Sequence, residues 1–254
     1  MSSGKSMAGK VVLVTGGARG IGWETCLALG QLGATVVVGA RRIDQAQSAA
    51  DSLISRDLKA EGMALDVSSE SDRQSVFAYL DHRYGRLDVL VNNAGIWRES
   101  KDAATPAEKL SSQISQGILR ETFESNFFGP VFLTQLLLPL IRKSDAGRIV
   151  NVSSIRGSLT LLSDPGSPVS KNKTLAYDSS KTALNAFTIE LADELRDTKI
   201  KVNAIHPGWV RTDMGSQEAD LNAAEGARTS VMFACLPDDG PTGGFFYLNE
   251  RLPW

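Results

Sequence analysis

The chain has 254 residues, of which 42% are hydrophobic and 22% are charged, and its formal net charge is -2. This length and balance predict one globular domain over residues 1–254, with residues 1–8 as a short amino-terminal tail. Charges of both signs are interspersed, and no run of lysine or arginine forms a basic tail. The sequence therefore predicts no nucleic-acid partner and no membrane partner, which leaves small molecules.

Cysteine and histidine usage bears on compartment and metal content. Cys26 and Cys235 lie far apart within apolar helical patterns, which indicates buried, reduced thiols and a cytoplasmic protein. No acidic or sulfur cluster with metal-ligand spacing surrounds His82 or His206, so we expect no metal. The amino terminus lacks the apolar core of a signal sequence, and the apolar runs are too short to span a bilayer.

Strands and helices alternate along the chain. The first strand, K-V-V-L-V-T, is a β-branched run without polar alternation, which is typical of a central parallel strand covered on both faces. The alternation predicts a Rossmann-type, doubly wound α/β fold with a mostly parallel seven-stranded sheet and helices on both faces. The predicted strands are residues 10–15, 34–39, 62–65, 87–91, 148–152, 201–204 and 244–248, and the predicted helices are residues 23–31, 44–58, 69–84, 106–121, 123–142, the helix that carries Tyr177, and residues 222–235.

Two segments interrupt this alternation as loops. Residues 96–105 and residues 157–173 are rich in turn-forming residues, and each follows the carboxyl end of a strand. Because ligands bind at that edge of doubly wound sheets, both loops are expected to border a substrate site.

A glycine-rich turn, T-G-G-A-R-G-I-G, joins the first strand to the first helix. Its glycines Gly16, Gly20 and Gly22 allow the backbone to approach a pyrophosphate at a helix amino terminus. Ile21, between the last two, is expected to contact the cofactor as well. The alternative is a tight turn that only requires positive backbone angles, but the position within a βαβ unit favours a dinucleotide. A Walker-type phosphate loop is excluded, because no Gly-Lys-Ser/Thr closes the motif.

The residues after the second strand distinguish between the two nicotinamide cofactors. An acidic residue there would bind the ribose hydroxyls, whereas this chain has Arg41 and Arg42, so NADPH/NADP+ is the expected cofactor. Arg19 is expected to reach the same 2′-phosphate, with solvated surface arginines as the alternative. Asp66, followed by Val67, is expected to accept a hydrogen bond from the adenine amino group, with a helix N-cap as its competing role.

Further motifs follow in chain order. N-N-A-G spans residues 92–95, Asn126 lies in S-N-F-F-G, Ser154 lies in N-V-S-S-I-R-G, and Tyr177 and Lys181 form Y-x-x-x-K. Together with the glycine-rich turn, these motifs make the sequence resemble the short-chain dehydrogenase/reductase family over nearly its whole length. Within that family, residues 206–214 and the ending G-G-F-F-Y-L-N-E-R-L-P-W are similar to NADPH-dependent carbonyl reductases.

Tyr177 and Lys181 are neighbours, because residues four apart share one face of a helix. A phenol has an unperturbed pKa of about 10, and a nearby ammonium favours the phenolate. We therefore expect Lys181 to lower the pKa of Tyr177, which is the expected acid/base. The resemblance implies that both residues contact the cofactor and that Lys181 binds the nicotinamide ribose.

The resemblance gives Ser154 and Asn126 supporting catalytic roles. Ser154 precedes x-x-G and is expected to donate a hydrogen bond to the substrate oxygen, whereas Ser153 does not fit the family pattern. Asn126 is expected to hold a water that links Lys181 to solvent. Without the resemblance, a helix-breaking or capping asparagine would be the preferred interpretation.

Further binding residues follow from the same resemblance. The implied cofactor contacts are Asn93, Ala94 and Gly95, and, against the nicotinamide carboxamide, Pro207, Gly208, Val210 and Thr212. Substrate is expected to meet Ser154 and Tyr177, and the candidates for the rest of its pocket are Trp97, Leu159, Trp209 and Met214. Core packing is the alternative for these aromatic and apolar side chains.

The expected reaction is the NADPH-dependent reduction of a ketone or aldehyde to an alcohol. The alternatives are an NAD-dependent alcohol or hydroxysteroid dehydrogenase and a non-catalytic NADP(H)-sensing protein.

Helices over residues 127–141 and 182–195 are apolar on more faces than one sheet covers, which indicates a homodimer or homotetramer. Ser154 lies 23 residues before Tyr177, a longer gap than the family's usual one, and the loop of residues 163–173 that fills it is expected to decide selectivity or assembly.

Overall fold

One twisted sheet of eight strands organises the chain, in the order β3-β2-β1-β4-β5-β6-β7-β8. The structure, a computed structural model, describes residues 7–254. All neighbouring strands from β3 to β7 pair in parallel, and β8 pairs antiparallel with β7. The strands are β1 Val11–Thr15, β2 Thr35–Ala40, β3 Lys59–Ala64, β4 Val89–Asn92, β5 Arg148–Val152, β6 Lys201–Ile205, β7 Phe245–Tyr247 and β8 Glu250–Arg251.

The predicted doubly wound α/β fold is confirmed, with one strand more than predicted. Leu248 has a positive φ of 50°, and the turn it makes sends the short β8 back along β7. The helices are α1 Gly20–Gln31, α2 Ile43–Ile54, α3 Glu70–Tyr84, α4 Gln116–Phe123, α5 Gly129–Ile141, α6 Leu159–Ser163, α7 Leu175–Glu194 and α8 Ala223–Ala234. Within residues 7–254, every helix falls short of the length and apolar character that a membrane span requires.

The sheet is buried on both faces, which explains why its strands are continuous apolar runs. Successive side chains point to opposite faces, so Val12 and Val14 pack with α1, α2 and α8, whereas Val11 and Leu13 pack with α3, α5 and α7. Each face therefore has its own apolar core, and the carboxyl edge of the parallel strands is left for loops.

The amino terminus and the cysteines depart in part from the sequence predictions. Residues 1–6 of the predicted tail lie outside the described residues. Met7, also assigned to that tail, is buried and donates its amide to the Leu32 carbonyl at 2.8 Å. Cys26 and Cys235 are both free thiols, but only Cys26 is fully buried, and Cys235 is partly exposed because it lies at the end of α8.

The segment of residues 106–142 differs most from its prediction. Two helices were expected over residues 106–121 and 123–142, but α4 begins only at Gln116, where the Ser115 hydroxyl caps it by accepting from the Ile118 amide at 3.2 Å. A π-helical turn, Glu124–Phe128, then joins α4 to α5 without a break. Such turns insert an extra residue into a helix and often occur at functional sites.

Buried polar side chains link the centre of the sheet to the helices above it. The Asn92 Nδ2 of β4 donates to Asn151 Oδ1 of β5 at 2.8 Å and to Thr134 Oγ1 of α5 at 3.0 Å. The Asn151 Nδ2 donates to Thr188 Oγ1 of α7 at 2.9 Å. Since buried polar groups are costly when unpaired, this network fixes the positions of α5 and α7 over the strands.

We predict that Asn151→Ala lowers the free energy of unfolding by about 1–3 kcal/mol, because it leaves the Asn92 and Thr188 groups without their buried partner. Denaturant titration measures the loss. Gln31→Ala removes an amide from an exposed helical position and is the matched control, expected to change little. Equal effects of the two substitutions would contradict the role given to the network.

Candidate active site

The turns after β1 and β4 are hydrogen-bonded to each other at the carboxyl edge of the sheet. The Thr15 hydroxyl accepts from the amides of Asn93 at 3.0 Å and Ala94 at 2.9 Å. In return, the Asn93 side-chain amide donates to the carbonyls of Thr15 at 2.9 Å and Gly16 at 3.2 Å. The glycine-rich turn and the N-N-A-G segment therefore form one rigid surface.

Three glycines of this turn are constrained by backbone angle or by space. Gly16 and Gly20 have positive φ angles of 63° and 55°. A Cβ on Gly22 would lie 2.2 Å from the Gly16 carbonyl oxygen and 2.6 Å from Asn93 Nδ2. The close approach of α1 to β1 and β4 therefore requires glycine at this position.

The amino terminus of α1 is suited to bind an anion. Its first helical residues are Gly20, Ile21 and Gly22, and its first turn contains no acidic residue. Within the described part of the chain, the Arg19 side chain caps none of the amides of this turn. Unpaired amides and the positive end of the helix dipole favour a phosphate group here.

The three arginines that are candidates for binding a 2′-phosphate lie on the surface and differ in their ion-pair partners. Arg19 forms an exposed ion pair with Asp213. Arg42 donates to Asp44 through Nε at 3.0 Å and Nη2 at 2.5 Å. Arg41 is exposed at the end of β2. Two of the three guanidiniums are thus already paired with carboxylates, which makes Arg41 the strongest candidate.

Asp66 and Val67 lie in the turn that follows β3. Asp66 Oδ1 accepts from the amide and the hydroxyl of Ser68 at 3.0 and 2.6 Å. The competing role of Asp66 as a helix cap is wrong, because Ser69 is the N-cap of α3 and accepts from the Asp72 amide. Val67 is buried, and its carbonyl accepts from Arg73 at 2.6 Å.

Tyr177, Lys181 and Ser154 converge at the ends of α7 and β5. The Lys181 Nζ lies 5.6 Å from the centre of the Tyr177 ring and donates to the Val152 carbonyl at 2.8 Å. The Ser154 side chain hydrogen-bonds Tyr177. Ser153 instead donates to Asn185 Oδ1 at 2.6 Å, within the core. The structure therefore brings Ser154, and not Ser153, to the phenol.

Burial shifts the pKa values of this pair in opposite directions. It raises the pKa of Tyr177 to about 12 and lowers the pKa of Lys181 to about 8, because each side chain loses solvation of its charged form. The expectation that Lys181 lowers the pKa of Tyr177 is therefore wrong for the chain alone. Desolvation outweighs the charges around the phenol, and the cation that lowers its pKa is Arg156.

Asn126 lies in the π-helical turn and is fully buried. Its Oδ1 accepts from the Ile96 amide at 2.7 Å, and its Nδ2 donates to the Ile96 carbonyl at 3.0 Å and to Ser180 Oγ at 3.1 Å. It lies inside a helix that continues through it, so a capping role is wrong. Its side chain therefore links Ile96, in the loop after β4, to Ser180 of α7, which is the residue before Lys181.

The carboxyl-terminal loop after β6 closes against the glycine-rich turn. Val210 is buried, and a Cβ on Gly20 would lie 3.4 Å from the Thr212 methyl group. Gly208, which follows Pro207, has a positive φ of 88° that reverses the chain. The four predicted nicotinamide residues thus belong to a loop that contacts the glycine-rich turn.

Three of the candidate substrate residues lie on the loops after β4 and β6, and the fourth lies on α6. The Trp97 ring lies 4.7 Å from the Tyr177 ring, and the Met214 carbonyl accepts from the Ala103 amide at 2.9 Å, so the loops after β4 and β6 meet near the phenol. Trp209 donates its indole N–H to the Gly215 carbonyl at 2.5 Å and is 38% exposed. Leu159, by contrast, is 62% exposed because α6 presents it to solvent.

Sequence reasoning missed three charged residues beside the phenol. Glu99 accepts from the Tyr177 amide at 2.9 Å, and Arg156 lies 3.5 Å from Asp178. Glu99 lies outside the motifs, and Arg156 and Asp178 occupy positions that the motifs leave unspecified. Only Asp178 carries a local signal, as an acidic residue in the first turn of a helix. Across residues 7–254, no group of three or more His, Cys, Asp or Glu residues is arranged to hold a metal ion.

Comparison with known proteins agrees with this geometry. The family model described as short chain dehydrogenase matches residues 10–222. Salutaridine reductase of Papaver bracteatum is 31% identical over 95% of this chain and 95% of its own length. The structure of salutaridine reductase from Papaver somniferum is similar with a TM-score of 0.78 and 29% identity, covering 93% of this chain and 99% of that one. A metagenomic short-chain oxidoreductase in complex with NADP has a TM-score of 0.74 and 25% identity, covering 94% and 96%. The chain belongs to the short-chain dehydrogenase/reductase family and is an oxidoreductase of that type.

Proposed function

We propose that this enzyme reduces a ketone or aldehyde to an alcohol with NADPH, and that Tyr177 is the acid/base. The observation that carries the proposal is the convergence of Ser154, Tyr177 and Lys181 beside the glycine-rich surface. Salutaridine reductase, which is similar along nearly its whole length, is named as a reductase. The reaction needs a hydride at carbon and a proton at oxygen, and the chain itself provides the proton.

The nucleotide surface fits a dinucleotide. Gly16 and Gly22 bring the backbone so close that a side chain is excluded, and the α1 amino terminus accepts a pyrophosphate. Asn93, Ala94 and Gly95 would hold the adjoining ribose, and Val210 and Thr212 the carboxamide. When bound, the cofactor supplies the hydride. The named neighbour in complex with NADP supports the phosphorylated form.

Tyr177 is suited to donate a proton. Its pKa of about 12 keeps the phenol protonated at neutral pH, which is the form that a proton donor requires. Ser154 would hold the carbonyl oxygen against the phenol and stabilise negative charge as it builds there. Lys181, whose pKa of about 8 leaves it largely protonated at neutral pH, would bind the nicotinamide ribose. Asn126 would pass the proton on to solvent through a water.

The substrate pocket is proposed to lie between Trp97, Trp209 and Met214. These side chains come from the loops after β4 and β6, which meet through the Ala103 and Met214 backbones. Residues 163–173 border the same region, because the Asn172 side chain donates to the Thr105 carbonyl at 3.2 Å. The segment of residues 163–173, which lengthens the stretch between Ser154 and Tyr177, would therefore line one side of this pocket and contribute to selectivity.

We predict that Tyr177→Phe lowers turnover about 10²–10⁴-fold, because it removes the proton donor and leaves the ring packing in place. NADPH binding, followed by cofactor fluorescence, is expected to change little. Turnover is measured as NADPH consumption against a panel of ketones and aldehydes. Tyr79→Phe on α3 is the matched control, and full turnover by Tyr177→Phe would exclude the mechanism.

Cofactor choice depends on Arg41 in this proposal. We predict that Arg41→Asp raises the KM for NADPH about 10–100-fold and leaves that for NADH nearly unchanged, because it replaces a charge-assisted contact to the 2′-phosphate with a repulsion. Steady-state kinetics with both cofactors measure the change. Arg196→Asp, on an exposed arginine beyond α7, is the control. An equal effect on both cofactors would favour the NAD-linked alternative.

The proposal also includes a homodimer or homotetramer in a reducing cytoplasm. Phe128 and Phe132 on the α4–α5 helix are 36% and 45% exposed and stack on each other, and Ile189 on α7 is 40% exposed. Large apolar side chains grouped on one surface favour a partner surface. The two free thiols are compatible with reducing conditions.

We predict that Phe132→Glu shifts the mass in solution towards the monomer, because a carboxylate would be buried at the interface. Analytical ultracentrifugation of the wild type and the variant measures this. Ile54→Glu, at an equally exposed apolar side chain on α2, is the control and is expected to leave the mass unchanged. A monomeric wild type would refute the oligomer.

A further inference from the structure

A cluster of three charged residues lies beside Tyr177, outside the set of Asn126, Ser154, Tyr177 and Lys181. Glu99 comes from the loop after β4, Arg156 from the 3₁₀ turn after β5, and Asp178 from α7. Glu99 is 8% exposed, Asp178 is 5% exposed, and the Arg156 side chain is 12% exposed. Charged side chains this deep in a protein are rare unless they are paired.

Arg156 contacts several parts of the site at once. Its Nη1 lies 3.5 Å from Asp178 Oδ1 and donates to the Asn172 carbonyl at 2.5 Å. Its guanidinium carbon lies 5.2 Å from the centre of the Trp97 ring, which in turn lies 4.7 Å from the Tyr177 ring. A guanidinium over an indole face is attractive, so Arg156 holds Trp97 between itself and the phenol.

The two carboxylates fix the first turn of α7, where Tyr177 lies. Glu99 Oε2 accepts from the Tyr177 amide at 2.9 Å. Asp178 accepts from the amide and the hydroxyl of Thr174 at 2.9 and 2.8 Å. Glu99 adds negative charge beside Asp178, and the negative charge of Asp178 opposes the formation of a phenolate at Tyr177. Without a nearby cation, the same contacts that position Tyr177 would therefore impede its proton transfer.

We propose that Arg156 is a positioning residue for the reaction, which holds Trp97 against Tyr177 and balances the negative charge of Asp178 beside the phenol. This inference rests on the proposed function, since it relates the charge of Arg156 to proton transfer by Tyr177. The charged groups around the phenol are Asp178 and Lys181 from α7 and Arg156 from the turn after β5, and Glu99 from the loop after β4 accepts from the Tyr177 backbone amide.

The pKa of Tyr177 supports this assignment. Beyond the dominant effect of burial, the positive charge of Arg156 lowers this pKa and the negative charge of Asp178 raises it. Lys181 lies closer in sequence, but its ammonium is directed to the Val152 carbonyl. Arg156 is therefore the cation whose charge acts on the phenol in the chain alone.

The test compares Arg156→Met, Arg156→Lys and Asp178→Asn with wild type. In protein labelled with ¹³C at the tyrosine ring, NMR gives the ionised fraction of Tyr177 at one alkaline pH, with Tyr177→Phe used for assignment. We expect Arg156→Met to lower the ratio of ionised to neutral phenol about tenfold and Asp178→Asn to raise it about tenfold. Arg156→Lys keeps the charge and is expected to restore most of the wild-type ratio.

Kinetics and stability complete the experiment. We expect Arg156→Met to lower kcat about tenfold while the KM for NADPH changes less than twofold. Arg196→Met, an exposed arginine beyond α7, is the control for loss of a positive charge. If Arg156→Met lowers only the unfolding temperature and leaves the ionised fraction and kcat unchanged, the role is structural and the inference is wrong. If the ionised fractions shift as expected but the wild type reduces no carbonyl compound, the electrostatic assignment stands and the proposed function fails.

Discussion

The hydrogen bonds between Thr15 and the N-N-A-G segment are the interaction on which the site depends. They join the turn after β1 to the turn after β4, at the point where the sheet order reverses direction. Parallel strands bring their carboxyl ends to one edge, and this junction converts two separate turns into one surface. Gly22 is required because any side chain there would collide with Gly16 and Asn93. The shape of the glycine-rich turn and the placement of the N-N-A-G backbone are thus parts of one constraint.

Burial also shifts the protonation equilibria of Tyr177 and Lys181. The enclosed position of Tyr177 and Lys181 raises the pKa of the phenol to about 12 and lowers that of the ammonium to about 8, because each side chain loses the solvation of its charged form. A protonated phenol beside a largely protonated amine suits proton donation to a developing alkoxide. The charge balance around the pair then comes from Glu99, Arg156 and Asp178, which lie on three different elements.

Much of the fold was predictable because its signals are local. Buried β-branched runs identified the parallel strands, and glycine spacing identified the nucleotide turn, since both depend on residues adjacent in the chain. The predictions failed where packing decided the outcome. The helices predicted over residues 106–142 became one later helix with a π-helical turn, because Asn126 is held by Ile96 from a distant loop. The prediction that Lys181 lowers the pKa of Tyr177 was wrong, because the loss of solvation on burial cannot be read from the spacing of two residues.

The sequence by itself determined the doubly wound fold, the family and the expectation that Ser154, Tyr177 and Lys181 lie together, because each of these follows from local patterns and short motifs. Only the tertiary structure decided which charges surround the phenol. Glu99 and Arg156 are separated from Tyr177 by 78 and 21 residues, and they meet it because β4 and β5 end, and α7 begins, at the same edge of the sheet. The physical reason is that electrostatic effects depend on distance and burial in space, which no local pattern records.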